Sequence, residues 1–222
     1  MLVDRVRVPT SYPCRPDGMV RTLTELVRPL PPYVRVSAGF PGMVRGGLVL
    51  SAPHFVTVAG PGSTTSADLE GEWDHFDLAG ALAEALGKPA RVVNDADMQG
   101  AAVVEGVGLE LVITLGTGFG TAVFHDGRLA PHLEIAHQRF RKGETYDEQL
   151  GDAARKRIGE AKWNTRVEEA VKTLDALLFF DRVHIGGGNS RRVTVDLGPK
   201  ATIVDNSAGI LGGIKLWDRD IV

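Results

Sequence analysis

The run Asn94-Asp95-Ala96-Asp97 closes an apolar segment and opens a stretch of small residues. A carboxylate in that position either caps a helix or faces a ligand. Held within hydrogen-bond reach of an alcohol, it can take the hydroxyl proton and make the oxygen a competent nucleophile, as phosphoryl transfer to a sugar requires. Asp95 is the candidate base. Further on, Glu134-Ile135-Ala136-His137 sets a carboxylate and an imidazole three residues apart, a spacing that one helical turn brings to one face. The pair has zinc-ligand chemistry, but no cysteine set and no further convincing ligands accompany it. Hydroxyl recognition fits better, with the carboxylate accepting from vicinal hydroxyls and the imidazole donating or accepting. Taken alone, without the neighbouring motifs, the same two residues read as a surface salt bridge ahead of a ligand site.

Three glycine-bearing segments follow apolar runs: Gly39-Phe40-Pro41-Gly42, Gly116-Thr117-Gly118-Phe119-Gly120 and Gly186-Gly187-Gly188. Without a Cβ the backbone approaches a ligand closely, and its N–H groups can point at phosphate oxygens. Thr117 adds a hydroxyl donor, and the ends of strands are where ligands bind in α/β sheets. Each segment alone is also ordinary turn chemistry, so it is their repetition that is informative.

These residues need strands and helices to position them, and the chain reads as an alternation of both. Residues 3–8 alternate like a strand. Asp17 then caps a helix whose face is Met19, Leu23, Leu26 and Val27, and Pro29 ends it. Residues 33–38 read as the next strand, running into the 39–42 turn and a return strand near 48–51. Residues 56–72 are rich in Gly, Ser and Thr without periodicity and read as a surface loop. Leu78, Leu82 and Leu86 mark a helix stopped by Gly87 and Pro89, followed by a strand at 90–93. Residues 109–115 and the run to Phe124 are strands, and Asp126-Gly127 is a hairpin turn. Val167, Ala170, Val171, Leu174, Leu177 and Leu178 share a helix face leading to a strand at 182–185. Residues 206–217 read as a final helix.

A length of 222 residues suffices for one large domain or two small ones. With 25 basic and 28 acidic residues the formal net charge is -3, which offers no electrostatic footprint for nucleic acid or an anionic membrane. No apolar run approaches a bilayer-spanning length, and no basic-then-apolar leader opens the chain, so a cytoplasmic protein is expected. Cys14 is the single cysteine, which excludes intrachain disulfides and thiolate zinc clusters.

In their order and spacing, Gly39-Phe40-Pro41-Gly42, Val93-Asn94-Asp95-Ala96-Asp97, Leu115-Gly116-Thr117-Gly118-Phe119-Gly120 and Glu134-Ile135-Ala136-His137 resemble the ROK family of sugar kinases and repressors. Arg141-Lys142-Gly143-Glu144-Thr145-Tyr146-Asp147 and Ile185-Gly186-Gly187-Gly188-Asn189 are similar to its polyphosphate/ATP glucokinase branch, which lacks the family's cysteine-rich zinc motif. The resemblance covers nearly the whole chain. It implies an α/β chain of the sugar-kinase/actin-like ATPase (ribonuclease H-like) fold, with two subdomains around a cleft. The expected divisions are an N-terminal subdomain over 1–108, a C-terminal one over 109–205, and a helix at 206–222 packing back on the first.

The resemblance further implies that Asp95 is the catalytic base and that Asn94, Glu134 and His137 bind the hexose, with His54, Asp147 and Glu148 as further candidates. Gly116, Thr117, Gly118 and Gly120 would hold the phosphoryl donor, with Gly186, Gly187 and Gly188 near the nucleotide base or the donor channel. The implied activity is glucose phosphorylation from polyphosphate or ATP with Mg²⁺, without structural zinc or a protein metal site, in a homodimer. Three departures stand out. Ala52-Pro53-His54 has histidine where the family has asparagine, Ala136 replaces a glycine, and the family's opening Asp-x-Gly-Gly-Thr phosphate motif does not occur. The expectation is an upstream segment carrying that motif. The alternative is a sugar-binding or regulatory protein without kinase activity.

Overall fold

The computed structural model describes residues 6–204, 208–217 and 221, and the chain divides into two compact units, Met1–Asp95 and Ala96–Val222. In the first unit, helix α1 (Pro16–Val27) begins with Pro16 at its first position and Arg15 as the extended N-cap residue. The fixed φ of proline starts the helix, so Asp17 lies within the first turn instead of capping it. The strand expected over residues 3–8 is not found. Residues 3–5 lie outside the described residues, and 6–8 form no strand, with Val6 and Val8 exposed.

Strand β1 (Val36–Phe40) pairs in parallel with β5 (Ala90–Asn94), Val36 against Ala90 and Phe40 against Asn94. Gly39 and Phe40 therefore belong to the strand, and only Pro41 and Gly42 turn. Short strands β2 (Val44–Arg45), β3 (Leu48–Val49) and β4 (Phe76–Asp77) form an antiparallel sheet. The segment 56–72 is not the unstructured loop its composition suggested. Thr57 and Thr65 form an antiparallel bridge, and α2 (Ala67–Trp73) comes next. One short helix turning Leu69 and Trp73 inward leaves too little periodicity to recognise.

Trp73 is 1 % exposed, packs against Phe40, Phe55 and Phe76, and donates its indole N–H to the Cys14 carbonyl at 2.9 Å. Leu78 and Leu82 of α3 (Leu78–Leu86) complete this core. That helix obeys its sequence signals: Asp77 accepts from Gly80 N–H at 2.8 Å, and Gly87 ends it with a left-handed φ of 61°.

Helix α4 (Asp95–Val103) opens at the boundary. The second unit is built on a five-stranded mixed sheet in the order β12-β11-β6-β7-β8. Its strands are β6 (Leu109–Leu115), β7 (Phe119–His125), β8 (Arg128–Leu129), β11 (Arg182–Gly186) and β12 (Ala201–Ile203). Strand β6 is parallel to β11 and antiparallel to β7. The β7–β8 turn has positive φ at both Asp126 and Gly127, as a two-residue hairpin loop requires. Between β8 and β11 come a single 3-10 turn (Ile135–His137), the hairpin β9 (Arg139–Arg141) and β10 (Glu144–Thr145), and helices α5 (Tyr146–Leu150), α6 (Asp152–Ile158) and α7 (Glu160–Leu178). Trp163, Val167, Ala170, Val171 and Leu174 of α7 pack on Leu111, Ile113, Val183 and Ile185 of the sheet.

Glu110 lies within the apolar run of β6 and is fully buried. It accepts from the N–H groups of Glu105, Gly106 and Val107, and its Oε2 lies 2.8 Å from His184 Nε2. Burial works against its ionisation, but these donors outweigh it and hold the carboxyl below the usual range. Of the helix expected over 206–222, α8 (Ala208–Lys215) is present, and residues 206–207, 218–220 and 222 lie outside the described residues. Among the described residues no helix is long and apolar enough to cross a membrane.

The aromatic cluster carries the first unit's core, so Trp73→Ala is expected to destabilise that unit by about 3–5 kcal/mol. Urea denaturation monitored by far-UV circular dichroism should show a transition at clearly lower denaturant.

Candidate active site

In the first unit, β1 and β5 end side by side, and Asn94 and Asp95 sit at or just beyond these strand ends. Asn94 is buried at the end of β5, where its side-chain amide donates to the Gly42 carbonyl at 2.9 Å and approaches that of Phe40 at 3.5 Å. The predicted sugar ligand thus also ties down the turn after β1. Gly42 is required there, because a Cβ would run into the Ser51 carbonyl and the Phe40 ring. Asp95 is exposed at the start of α4, directly after β5. His54 is exposed in the segment after β3, with its carbonyl accepting from Thr57 Oγ1 at 3.1 Å.

In the second unit, the parallel pairing of β6 and β11 delivers both remaining glycine loops to one sheet end. Gly187 has φ of 88°, and a Cβ there would strike the Leu115 backbone, so the second loop can cross the end of β6 only as glycine. The 115–118 turn is fastened through its carbonyls. Leu115 O accepts from Asn189 N–H (2.8 Å), Gly116 O from Asp152 N–H (3.0 Å) and the Asn189 amide (3.1 Å), Thr117 O from Asp152 N–H (3.2 Å), and Gly118 O from Gly116 N–H (3.0 Å). Among the described residues nothing accepts from the N–H of Thr117 or Gly118. Thr117 is exposed, and open space surrounds the α-carbon positions of Gly116 and Gly188. A turn with every carbonyl engaged and two amides unengaged is suited to an anion.

Asp147 lies at this turn, its Oδ1 accepting from Phe119 N–H at 2.8 Å and filling the space a Cβ on Gly118 would need. Glu148 is used in a capping box, accepting from Thr145 N–H at 2.8 Å while its own N–H donates to Thr145 Oγ1. Gly120 is flanked by Thr114 Oγ1 and the Ala96 methyl, with no room for a side chain. Gly186 faces Val204.

Glu134 precedes the 3-10 turn that ends at His137, and three-residue spacing in such a turn stacks the two positions. His137 is exposed and Glu134 is partly buried. Sequence reasoning missed the residues that stand behind Glu134. His132 Nδ1 lies 3.0 Å from Asp97 Oδ1, and its Nε2 lies 3.7 Å from Glu134 Oε2. The side chains of His132 and Asp97 are 4 % and 2 % exposed. Burial disfavours a charge on His132, but the two carboxylates flanking it prevail and raise its pKa from 6.5 to about 9. Glu134 is held below the usual carboxylate range by His132 and, more weakly, by the charge of His137, against the effect of burial. The only sequence signal was the alternation of His132 with Glu134 after Pro131, whose partner Asp97 lies 35 residues earlier.

An α/β chain whose second unit is a mixed sheet with glycine loops at one strand end, beside carboxylates and an imidazole, has the parts of a sugar-kinase domain. A model of the ROK family matches residues 1–132, more than half of the chain, and the chain belongs to that family. It is 26 % identical to the polyphosphate glucokinase of Mycobacterium tuberculosis (strain ATCC 25618 / H37Rv) over 228 residues, covering 96 % of this chain and 80 % of that protein. The crystal structure of inorganic polyphosphate/ATP-glucomannokinase from Arthrobacter sp. strain KM superposes with a TM-score of 0.75 at 28 % identity, over 99 % of this chain and 90 % of that one. A ROK family glucokinase from Streptomyces griseus, in complex with glucose and AMPPNP, shares the fold with a TM-score of 0.64 at 18 % identity, over 94 % and 89 % of the two chains. The actin-like ATPase fold expected from the motifs is thus the fold of the chain.

The imidazolium between Asp97 and Glu134 has a pH signature. Because its folded pKa is raised, the stabilisation is complete below pH 6.5 and disappears as the pH rises through about 9. The difference in unfolding free energy between the native protein and His132→Asn should shrink by about 3 kcal/mol across that window. Chemical denaturation at a series of pH values measures it.

Proposed function

We propose that the protein is a hexose kinase that transfers a phosphoryl group from polyphosphate or ATP to a hydroxyl of glucose or a similar hexose. The observation that carries this proposal is the 115–118 turn, with its carbonyls bound internally and the amides of Thr117 and Gly118 unengaged at a strand end. Backbone donors in that arrangement favour a phosphate chain, and they would stabilise charge on the transferring group. The names of the Mycobacterium tuberculosis and Arthrobacter relatives support the same chemistry.

In the proposed reaction, Asp95 accepts the proton of the attacking hydroxyl while that oxygen bonds to the terminal phosphorus. The bond from phosphorus to the donor's bridging oxygen breaks, leaving ADP or a polyphosphate shorter by one unit. Glu134 accepts from sugar hydroxyls and His137 donates or accepts beside it, with Asn94 and His54 as further sugar contacts. Gly116, Thr117, Gly118 and Gly120 form the donor loop, which Asp147 holds through Phe119, and the 186–188 segment borders it. Among the described residues no cluster of three or more His, Cys, Asp or Glu is arranged to hold a metal ion. Mg²⁺ in this proposal arrives with the donor and is held chiefly by its phosphates, where it offsets their charge. A cytoplasmic homodimer is the proposed state, on the family resemblance.

The full-length protein is expected to phosphorylate glucose in the presence of Mg²⁺ and polyphosphate or ATP. Asp95→Asn should lower kcat by about 10²–10⁴-fold while calorimetry still detects glucose binding. Donor-dependent phosphorylation of no common hexose would overturn the kinase assignment. Unchanged turnover in Asp95→Asn would remove Asp95 from the role of base.

A further inference from the structure

Behind Glu134 stands a chain of three charges running from the interior to the surface. Asp97 lies on α4 and is buried. His132, also buried, lies between the two carboxylates, with Nδ1 3.0 Å from Asp97 and Nε2 3.7 Å from Glu134. Glu134 is the only member with substantial exposure, its side chain 30 % accessible. Asp97 accepts a hydrogen bond from Nδ1–H, which fixes the plane of the ring and turns its other nitrogen toward Glu134. The backbone of the segment is fixed as well, since Leu133 O accepts from Thr121 Oγ1 at 3.2 Å and from Ile135 N–H at 2.9 Å. Glu134 Oε2 is the oxygen on the imidazole side. Among the described residues no group donates to its Oε1.

We propose that His132, oriented by Asp97, is a positioning residue that holds Glu134 ionised and in a fixed rotamer, so that Oε1 is presented to hexose hydroxyls. This inference rests on the assignment of Glu134 as a sugar ligand. An ionised carboxylate is acceptor-only and binds hydroxyls more strongly than the neutral acid, and a partly buried one drifts toward neutrality unless a cation stands beside it. The imidazolium supplies that cation without occupying the exposed face. The groups acting on it are Asp97 from α4 and Glu134 from its own segment, with His137 acting on Glu134 from the far end of the 3-10 turn. A buried pair retained only for stability would not need its one exposed end to lie at a ligand-binding position.

The test uses the full-length protein and glucose. His132→Asn is expected to raise the Kd and KM for glucose about 10- to 100-fold, with kcat and the KM for polyphosphate or ATP changed less than about threefold. In the native protein, histidine side-chain NMR should find the His132 ring still charged at pH 8 and its resonances displaced when glucose is added, a response that a merely structural bridge would not give. The native protein binding glucose while His132→Asn binds it equally well would overturn the positioning role and leave the kinase assignment standing. So would a His132 spectrum indifferent to glucose, a result available even if the variant does not fold. Failure of the native protein to bind any hexose would overturn the sugar-ligand assignment of Glu134 and this inference with it.

Discussion

The parallel pairing of β6 with β11 is the constraint on which the second unit depends. Its register sets Arg182 against Glu110 and Gly186 against Thr114, so the strands run out together and their ensuing loops meet at one end. At the other end the same register brings His184 within 2.8 Å of the buried Glu110. A slip of one residue would turn Glu110 to the opposite face and leave an unpaired carboxylate in the core, an error far costlier than the loss of one ladder bond. The Glu110–His184 contact therefore acts as a register pin for the glycine loops, and Glu110 also secures the 105–107 segment that feeds β6.

The two kinds of recognition proposed for this protein differ in how they are built. The proposed donor loop would work through backbone amides, and the residues that shape it, Asn189, Asp152 and Asp147, engage its other groups. Side-chain replacement within the loop alters it only by distorting it. The hexose contacts are side chains, and several of them have a second partner inside their own unit: Asn94 with the 40–42 turn, Glu134 with His132. Rigidity of this kind lowers the ordering cost when ligand arrives. It also means that a change at Asn94 disturbs the turn as well as the ligand.

Local signals in the sequence were legible where one element contains its own explanation. The leucines and Gly87 of α3, the apolar run of β6 and the Asp126-Gly127 turn needed no distant partner. The motif order was sufficient to identify the family, although what its glycines avoid lies elsewhere in the chain: Ser51 for Gly42, Asp147 for Gly118 and the Leu115 backbone for Gly187. Elements set by long-range contacts were not legible. Helix α2 is defined by burying Trp73 in a core whose other members come from elsewhere in the unit, and residues 6–8 alternate like a strand without pairing as one. Glu110 in an apolar run gave no hint that it would be fully desolvated, since its compensating donors are peptide groups. His132 looked ordinary for a similar reason: its significance resides in a carboxylate on another element.

Gly120 carries a consequence for how such a chain can drift. The Thr114 hydroxyl from the neighbouring strand and the Ala96 methyl from α4 close over its α-carbon, so these three positions share one fixed volume next to the 115–118 turn. Enlargement of any one of them is tolerated only when another shrinks. Relatives that have diverged here should do so in compensated pairs, and a single transplanted substitution would fail where the matched pair succeeds. The space at Gly120 is thus shared with residue 96, next in the chain to Asp95.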